Sequence, residues 1–461
     1  MRLTGRWARL LRRWLIGIML LIVSAAASIA ISLQVTPLQT VDVAGQQIQV
    51  GASAPDLSFS GPGEVDLFGA SLPTNVQFAG PVRPRLQLSQ ITINSELTTF
   101  VQGDHPTSAE RLLGARLADG FKRYFAWETV VTGLVALILV GAVAGWRRVP
   151  HRTTVKLLGA GLAVAEAINL GAIMITVFTA PALLRQVHSL NDLVGTETHL
   201  PHISPTGSQL PGVQVVVMGD STAAGAGLAP LPGASSTVRA CGRSADSYAA
   251  DLSVANGWKV LNLACDGATI SQGILGPQTQ GGQVLAPQFA VAERAGDASV
   301  VIVSVGADDL NWAAEVQYCS ITPRCDDRAT TAYFQQQLAS FSKNYLDLLS
   351  RLAALPSHPQ VIINRYYDPF GSQPGCLSQA GLSPANLQTL VSRLATLNAV
   401  LAKGAAQFGF SSPQPDFAGH QMCTPQPYVQ GLDAAAPFHP TVLGQLAIAL
   451  ADQAALHHPV A

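Results

Sequence analysis

Charged side chains are scarce in this chain. Asp, Glu, Lys and Arg make up 12% of 461 residues, against 48% hydrophobic ones. With a mean hydropathy of +0.29, that is too apolar for a purely soluble protein and points to membrane segments. A basic surplus is also lacking. The net charge is −1, and nothing suggests a nucleic-acid partner. Cysteine is missing from the first half: Cys241, Cys265, Cys319, Cys325, Cys376 and Cys423 all lie after residue 240. No pair has CxxC spacing and no His sits at zinc-finger distance, which argues against a metal site. No metal or organic cofactor is indicated. An even number of cysteines confined to one region reads as three disulfides made in an oxidising compartment. Sequential pairing is the expectation among the possible connectivities.

What charge there is sits unevenly. Residues 1–13 carry Arg2, Arg6, Arg9, Arg12 and Arg13 and no acid, and residues 14–33 then run without a charge. That run is long enough to cross a hydrocarbon core. An uncleaved anchor over residues 1–35 is preferred to a signal peptide cut among the small residues at 25–30. Either reading puts residue 36 onward outside the cytoplasm. Residues 36–126 show short alternating runs, Val41-Asp42-Val43, Gln47-Ile48-Gln49-Val50, Leu86-Gln87-Leu88 and Ile91-Thr92-Ile93-Asn94. This is the period of half-buried strands and predicts a small β-rich extracytoplasmic domain, with no evident chemistry of its own. Thr107 and Glu110 have capping-box spacing ahead of Leu113, Leu117, Phe121 and Tyr124. An amphipathic helix is expected there, lying on the membrane surface or packed on the β domain.

Two more spans are expected within residues 127–184, at 129–146 and 157–179. Arg147, Arg148, His151, Arg152 and Lys156 lie between them, again with no acid. The positive-inside rule makes both basic clusters cytoplasmic and everything from about residue 185 extracytoplasmic. Glu166, with Asn169 on the same face, is a carboxyl at bilayer depth. It is either functional or hydrogen-bonded to a neighbouring helix through Thr132 or Ser24. Residues 185–212 read as a linker.

Over residues 213–461 the pattern changes to nearly continuous apolar runs at 213–218, 259–263, 299–305 and 360–364, separated by helical stretches. Such runs mark strands buried on both faces of a parallel sheet, and predict a three-layer α/β/α domain. In such sheets active groups gather beyond the carboxyl ends of the strands. Gly219-Asp220-Ser221-Thr222 follows the first strand.

Residues 213–457 resemble the SGNH (GDSL-like) hydrolase family, in its branch of secreted actinobacterial esterases and lipases. The resemblance rests on four motifs in the family's order: Gly219-Asp220-Ser221, Asn262-Leu263-Ala264-Cys265-Asp266-Gly267, Gly306-Ala307-Asp308-Asp309 and Phe438-His439-Pro440. The order and rough spacing of the cysteine pairs are similar too. The resemblance implies an αβα fold and ester hydrolysis with Ser221 as nucleophile and His439 as base. It also implies that the N–H groups of Ser221 and Gly267 bind the oxyanion. The chemistry agrees, because a serine needs a base to become nucleophilic and imidazole titrates near neutral pH.

Two positions depart from the family pattern. Asp308 stands where the family has an oxyanion-binding Asn, and an ionised carboxylate would repel the developing charge. Asp308 could be held protonated, Asn311 could turn in as the donor, or the site could be crippled. Asn311, or the two backbone donors alone, is the preferred resolution. The family's acid three residues before the His is here Ala436. Asp433 is the candidate acid, with Asp308 or the Ala436 carbonyl as alternatives. The expected protein is a multi-pass membrane-anchored extracytoplasmic esterase or lipase acting on O-acyl esters of lipids or envelope glycans. An O-acyltransferase, or a degenerate binding or assembly module, is the alternative.

Overall fold

Period-two alternation at residues 41–50 and 86–88 sends every second side chain to one face of a sheet. The computed structural model describes residues 4–43, 46–53, 58–90, 108–187, 193–194, 200, 203–371 and 375–457. The Thr107 cap, the Ile91-Thr92-Ile93-Asn94 run and most of the linker between 195 and 202 lie outside these residues. The chain divides into two compact units, one within residues 1–196 and the other chiefly residues 197–461.

The first unit opens with helix α1 (Thr4–Val35), followed by strands β1 (Gln39–Val43), β2 (Gln46–Ala52), β3 (Ser60–Leu67), β4 (Ala70–Ala79) and β5 (Pro84–Gln90). They form one sheet in the order β1-β2-β5-β3-β4. Register pairs Val41 with Ile48 and Ile48 with Leu88, so the alternating apolar side chains line up across strands. Strands β3 and β4 were not expected from the sequence, where Gly61, Pro62, Gly63 and Pro73 break the pattern.

Helices α2 (Ser108–Trp146) and α3 (His151–Leu184) complete this unit. The expected amphipathic helix and second span are one continuous helix of 39 residues. Its first half is the version packed on the sheet: Leu113, Leu117 and Phe121 are fully buried. A Cβ on Gly120 would stand 2.6 Å from the Val41 side chain, so glycine lets helix and sheet approach. Three helices among the described residues are long and apolar enough to cross a membrane, Leu15–Val35, Leu113–Trp146 and His151–Leu184. Between them the buried acid with partners is Glu128, not Glu166. Glu128 accepts hydrogen bonds from Ser32 (2.6 Å), Thr132 (2.7 Å) and Asn169 (2.9 Å). Thr132 and Asn169 are therefore engaged by Glu128, and Glu166 Oε2 has no partner among the described residues.

In the second unit the apolar runs become strands β6 (Val215–Gly219), β7 (Val260–Asn262), β8 (Val300–Ser304) and β9 (Gln360–Ile363). They form a parallel sheet in the order β9-β8-β6-β7. Every residue of β6 and β8 is buried, which explains their unbroken hydrophobicity. The helices used below are α4 (Ser221–Ala224), α5 (Tyr248–Asn256), α6 (Gln288–Ala292), α7 (Trp312–Ile321), α8 (Arg328–Ala353), α9 (Pro384–Gln407) and α10 (Val442–His457). Helix α5 packs with α10, and α9 with α7 and α8. The six cysteines pair sequentially, Cys241–Cys265, Cys319–Cys325 and Cys376–Cys423.

Candidate active site

The strand order places the site. After β6 the chain moves to one side for β7, then crosses to the other side of β6 for β8. The carboxyl ends of β6 and β8 are thus a topological switch point, where the loops part and leave a crevice. Ser221 follows β6, Gly267 follows β7 and Asp308 follows β8.

The serine is held from several sides. Gly219 lies so close to β8 that a Cβ there would stand 2.5 Å from the Ser304 carbonyl oxygen. The buried Gln288 amide clamps the Gly219 main chain, accepting from its N–H (2.8 Å) and donating to its carbonyl (2.9 Å). Asp220 caps α4, accepting from the Thr222 N–H at 2.9 Å. Its other oxygen accepts from the Tyr366 hydroxyl. Asn262 donates to the Ala223 carbonyl at 3.1 Å and Gln445 to that of Thr222 at 2.9 Å.

His439 Nε2 lies 2.8 Å from Ser221 Oγ, and its Nδ1 lies 3.0 Å from the Pro437 carbonyl oxygen. A carbonyl only accepts, so the proton belongs on Nδ1, which leaves the Nε2 lone pair facing the serine hydroxyl. Phe438 takes the left-handed conformation, φ +67°, as the chain turns into the histidine. Its carbonyl accepts from the Tyr367 hydroxyl at 2.8 Å. Gln430 ties the two segments together, donating to the Ala226 carbonyl (2.8 Å) and the Pro440 carbonyl (2.9 Å).

Ser221 and His439 open on a cavity of about 520 Å³ whose wall is mainly apolar, including Trp312, Val316, Leu394, Leu397 and Phe438. Asp308 and Asp266 also line it. Burial, with the Asp220 and Asp266 charges adding, pushes the Asp308 carboxyl up to about 8. Burial also pushes Asp309 up to about 7, against the Ile270 N–H that donates to it at 3.0 Å. Asp220 is raised by burial to about 7, with the Tyr366 and Thr222 hydrogen bonds opposing the shift.

The other candidate residues lie elsewhere. Asn311 does not line the cavity; it is exposed, with φ +53°, and its amide donates to the Tyr333 hydroxyl at 3.3 Å. Asp433 is exposed, and the imidazole's partner is the Pro437 carbonyl. The Ala436 carbonyl, the other alternative, accepts the His439 main-chain N–H at 3.3 Å. Gly267 is needed for its φ of +73°: a Cβ there would meet nothing closer than 3.8 Å, so crowding is not the reason. Gln288, Gln430, Tyr366 and Tyr367 were missed, because single Gln and Tyr residues far apart in the chain carry no motif.

The family model for GDSL-like lipases and acylhydrolases matches residues 217–447, half of the chain. An extracellular lipase from Streptomyces rimosus is similar in structure, at 22% identity and TM-score 0.45, covering 54% of this chain and 99% of its own. Phospholipase A1 from Streptomyces albidoflavus NA297 is similar at 19% identity and TM-score 0.42, with the same coverage. No curated protein matches. The span of the family match, over both the Gly219-Asp220-Ser221 turn and the His439 loop, makes this chain a hydrolase belonging to the GDSL-like lipase/acylhydrolase family.

Proposed function

We propose that this chain is a membrane-anchored, extracytoplasmic serine esterase that hydrolyses O-acyl esters of lipids or envelope glycans. The observation that carries the reading is the 2.8 Å contact between Ser221 Oγ and His439 Nε2 at the floor of an apolar cavity. Ser221 Oγ attacks the ester carbonyl as His439 Nε2 takes its proton, and the same proton then passes to the leaving alcohol. Water repeats the sequence on the acyl-enzyme. The Pro437 carbonyl stabilises the imidazolium and keeps its tautomer, a role a carboxylate fills elsewhere. In this reading the N–H groups of Ser221 and Gly267 bind the oxyanion, the role the family resemblance gives them. The apolar wall suits the acyl chain.

The location rests on independent features. Three helices are long and apolar enough to cross a membrane. The basic clusters at residues 1–13 and 147–156 fall on one side of such a three-span arrangement, which the positive-inside rule makes cytoplasmic. Three disulfides support an oxidising compartment for the hydrolase unit.

The test uses the full chain in detergent with p-nitrophenyl esters of short and medium acyl length. Hydrolysis is expected, and Ser221→Ala should abolish it. Activity unchanged in that variant would sink the assignment.

A further inference from the structure

Asp308 stands at the end of β8, across the switch point from Ser221, and lines the same cavity. Its Oδ2 is buried and has no hydrogen-bond partner among the described residues. The titratable groups around it are Asp220, Asp266 and Asp309, the Tyr366 hydroxyl and, across the cavity, His439. No lysine or arginine lines the cavity among the described residues.

Asp266 is exposed, but Asp220, Asp308 and Asp309 are shielded from solvent and repel one another. Such carboxyls do not all ionise, and the hydrogen bonds decide which one keeps its proton. Asp220 receives two donors, the Thr222 N–H and the Tyr366 hydroxyl. Asp309 receives one, the Ile270 N–H. Those donors favour the charged form on Asp220 and Asp309. Asp308 Oδ2 receives none, and burial with the neighbouring Asp220 charge pushes Asp308 up.

We propose that Asp308 is a catalytic residue that works as a neutral carboxylic acid, its O–H donating a hydrogen bond to the oxyanion formed at Ser221. The proposal rests on the Ser221–His439 esterase reading. As the bond from Ser221 Oγ to the acyl carbon forms, the carbonyl π pair moves onto oxygen and the serine proton moves to His439 Nε2. Asp308 keeps its own proton throughout. When the bond to the leaving oxygen breaks, the pair returns to the carbonyl and His439 protonates the leaving alcohol. A carboxylic acid in an apolar site thus supplies the donor that the family draws from an asparagine amide. The difference is that this donor titrates. As pH rises through the Asp308 pKa, the O–H is lost and a negative charge replaces it beside the oxyanion.

The experiment measures kcat/KM of the full chain in detergent on p-nitrophenyl butyrate from about pH 5 to about pH 9.5. Asp308→Asn and Asp308→Ala are compared with the unaltered chain. Folding is checked by circular dichroism, and Ser221 by fluorophosphonate labelling of the unaltered chain. The unaltered chain should lose about tenfold per pH unit above its alkaline pKa. Asp308→Asn, a donor that does not titrate, should stay active at neutral pH and lose that alkaline limb. Asp308→Ala should fall by about 10²–10³ at neutral pH. If the unaltered chain is active but Asp308→Asn keeps the alkaline limb, or folds and is inactive throughout, the proposal is overturned and the esterase reading stands. Full activity in Asp308→Ala overturns it too, and that variant decides if Asp308→Asn does not fold. An unaltered chain that neither labels nor hydrolyses overturns both.

Discussion

The Nδ1 of His439 and the carbonyl oxygen of Pro437 lie 3.0 Å apart, so a main-chain dipole orients this imidazole. Asp433, six residues upstream, is exposed. Asp433→Ala should therefore leave kcat/KM on p-nitrophenyl esters within about threefold of the unaltered chain, as for an ordinary surface change. A loss of about 10⁴, the cost where a carboxylate holds the imidazole, would show that Asp433 swings in during turnover.

Gln430 should matter more than its lack of motif suggests. Its amide joins the Ala226 carbonyl on the serine side to the Pro440 carbonyl on the histidine side. Gln430→Leu leaves both carbonyls without that donor and frees the two segments to shift. A kcat lower by about 10–100-fold with KM within about threefold is expected, since misplacement by about 1 Å costs that much. A purely structural role would lower the unfolding temperature and leave kcat of the folded fraction unchanged. Active-site titration alongside steady-state kinetics separates the two.

Arg393 and Glu315 form an ion pair in which both side chains are buried, and Arg393 also donates to the Cys325 carbonyl at 2.9 Å. Burial raises the Glu315 carboxyl, and the guanidinium opposes that shift. Arg393→Met should cost about 3–5 kcal/mol at neutral pH by leaving the carboxylate uncompensated. The loss should shrink as the pH falls and Glu315 takes up its proton, because a neutral carboxyl no longer needs the guanidinium. Replacing both, Arg393→Met with Glu315→Leu, should restore most of the stability. Thermal unfolding in detergent followed by tryptophan fluorescence reads all three.

Asp452 on α10 is fully buried beside Tyr248, accepts from the Asn364 amide at 3.2 Å and is pushed by burial up to about 8. In the unfolded chain the same carboxyl loses its proton near about pH 4. The folded state therefore binds the proton more tightly. Its contribution to stability is complete at acid pH and is lost as pH rises from about 4 through 8. Asp308 and Asp309 act in the same direction. The melting temperature should fall between about pH 5 and about pH 8, and Asp452→Asn should flatten that fall. Equal slopes for the two chains would remove Asp452 from the account.

Much of the hydrolase unit was legible in the sequence because its signals are local. Strands buried on both faces must be continuously apolar, so the residues of β6 and β8 announced themselves. The Gly219 turn, the Gly306 loop and the Phe438-His439-Pro440 loop are contiguous motifs. Alternation exposed β1, β2 and β5, while β3 and β4, broken by Gly and Pro, gave no such period. The polar centre among the apolar helices was misread. Glu166 and Asn169 share a helical face, but the buried acid that gathers Ser32, Thr132 and Asn169 is Glu128, near the middle of the long α2.

The sequence by itself determined which residues are candidates for the chemistry and which segments are apolar enough for a membrane or a sheet interior, because those properties belong to single residues and short spacings. Only the tertiary structure decided what orients His439, what locks Gly219 and where Asn311 points. It also gathered Asp220, Asp308 and Asp309 beside one another, so that burial and hydrogen bonds decide which of them keeps a proton. Those outcomes depend on distances between residues far apart in the chain, and on how many donors reach each carboxyl after folding.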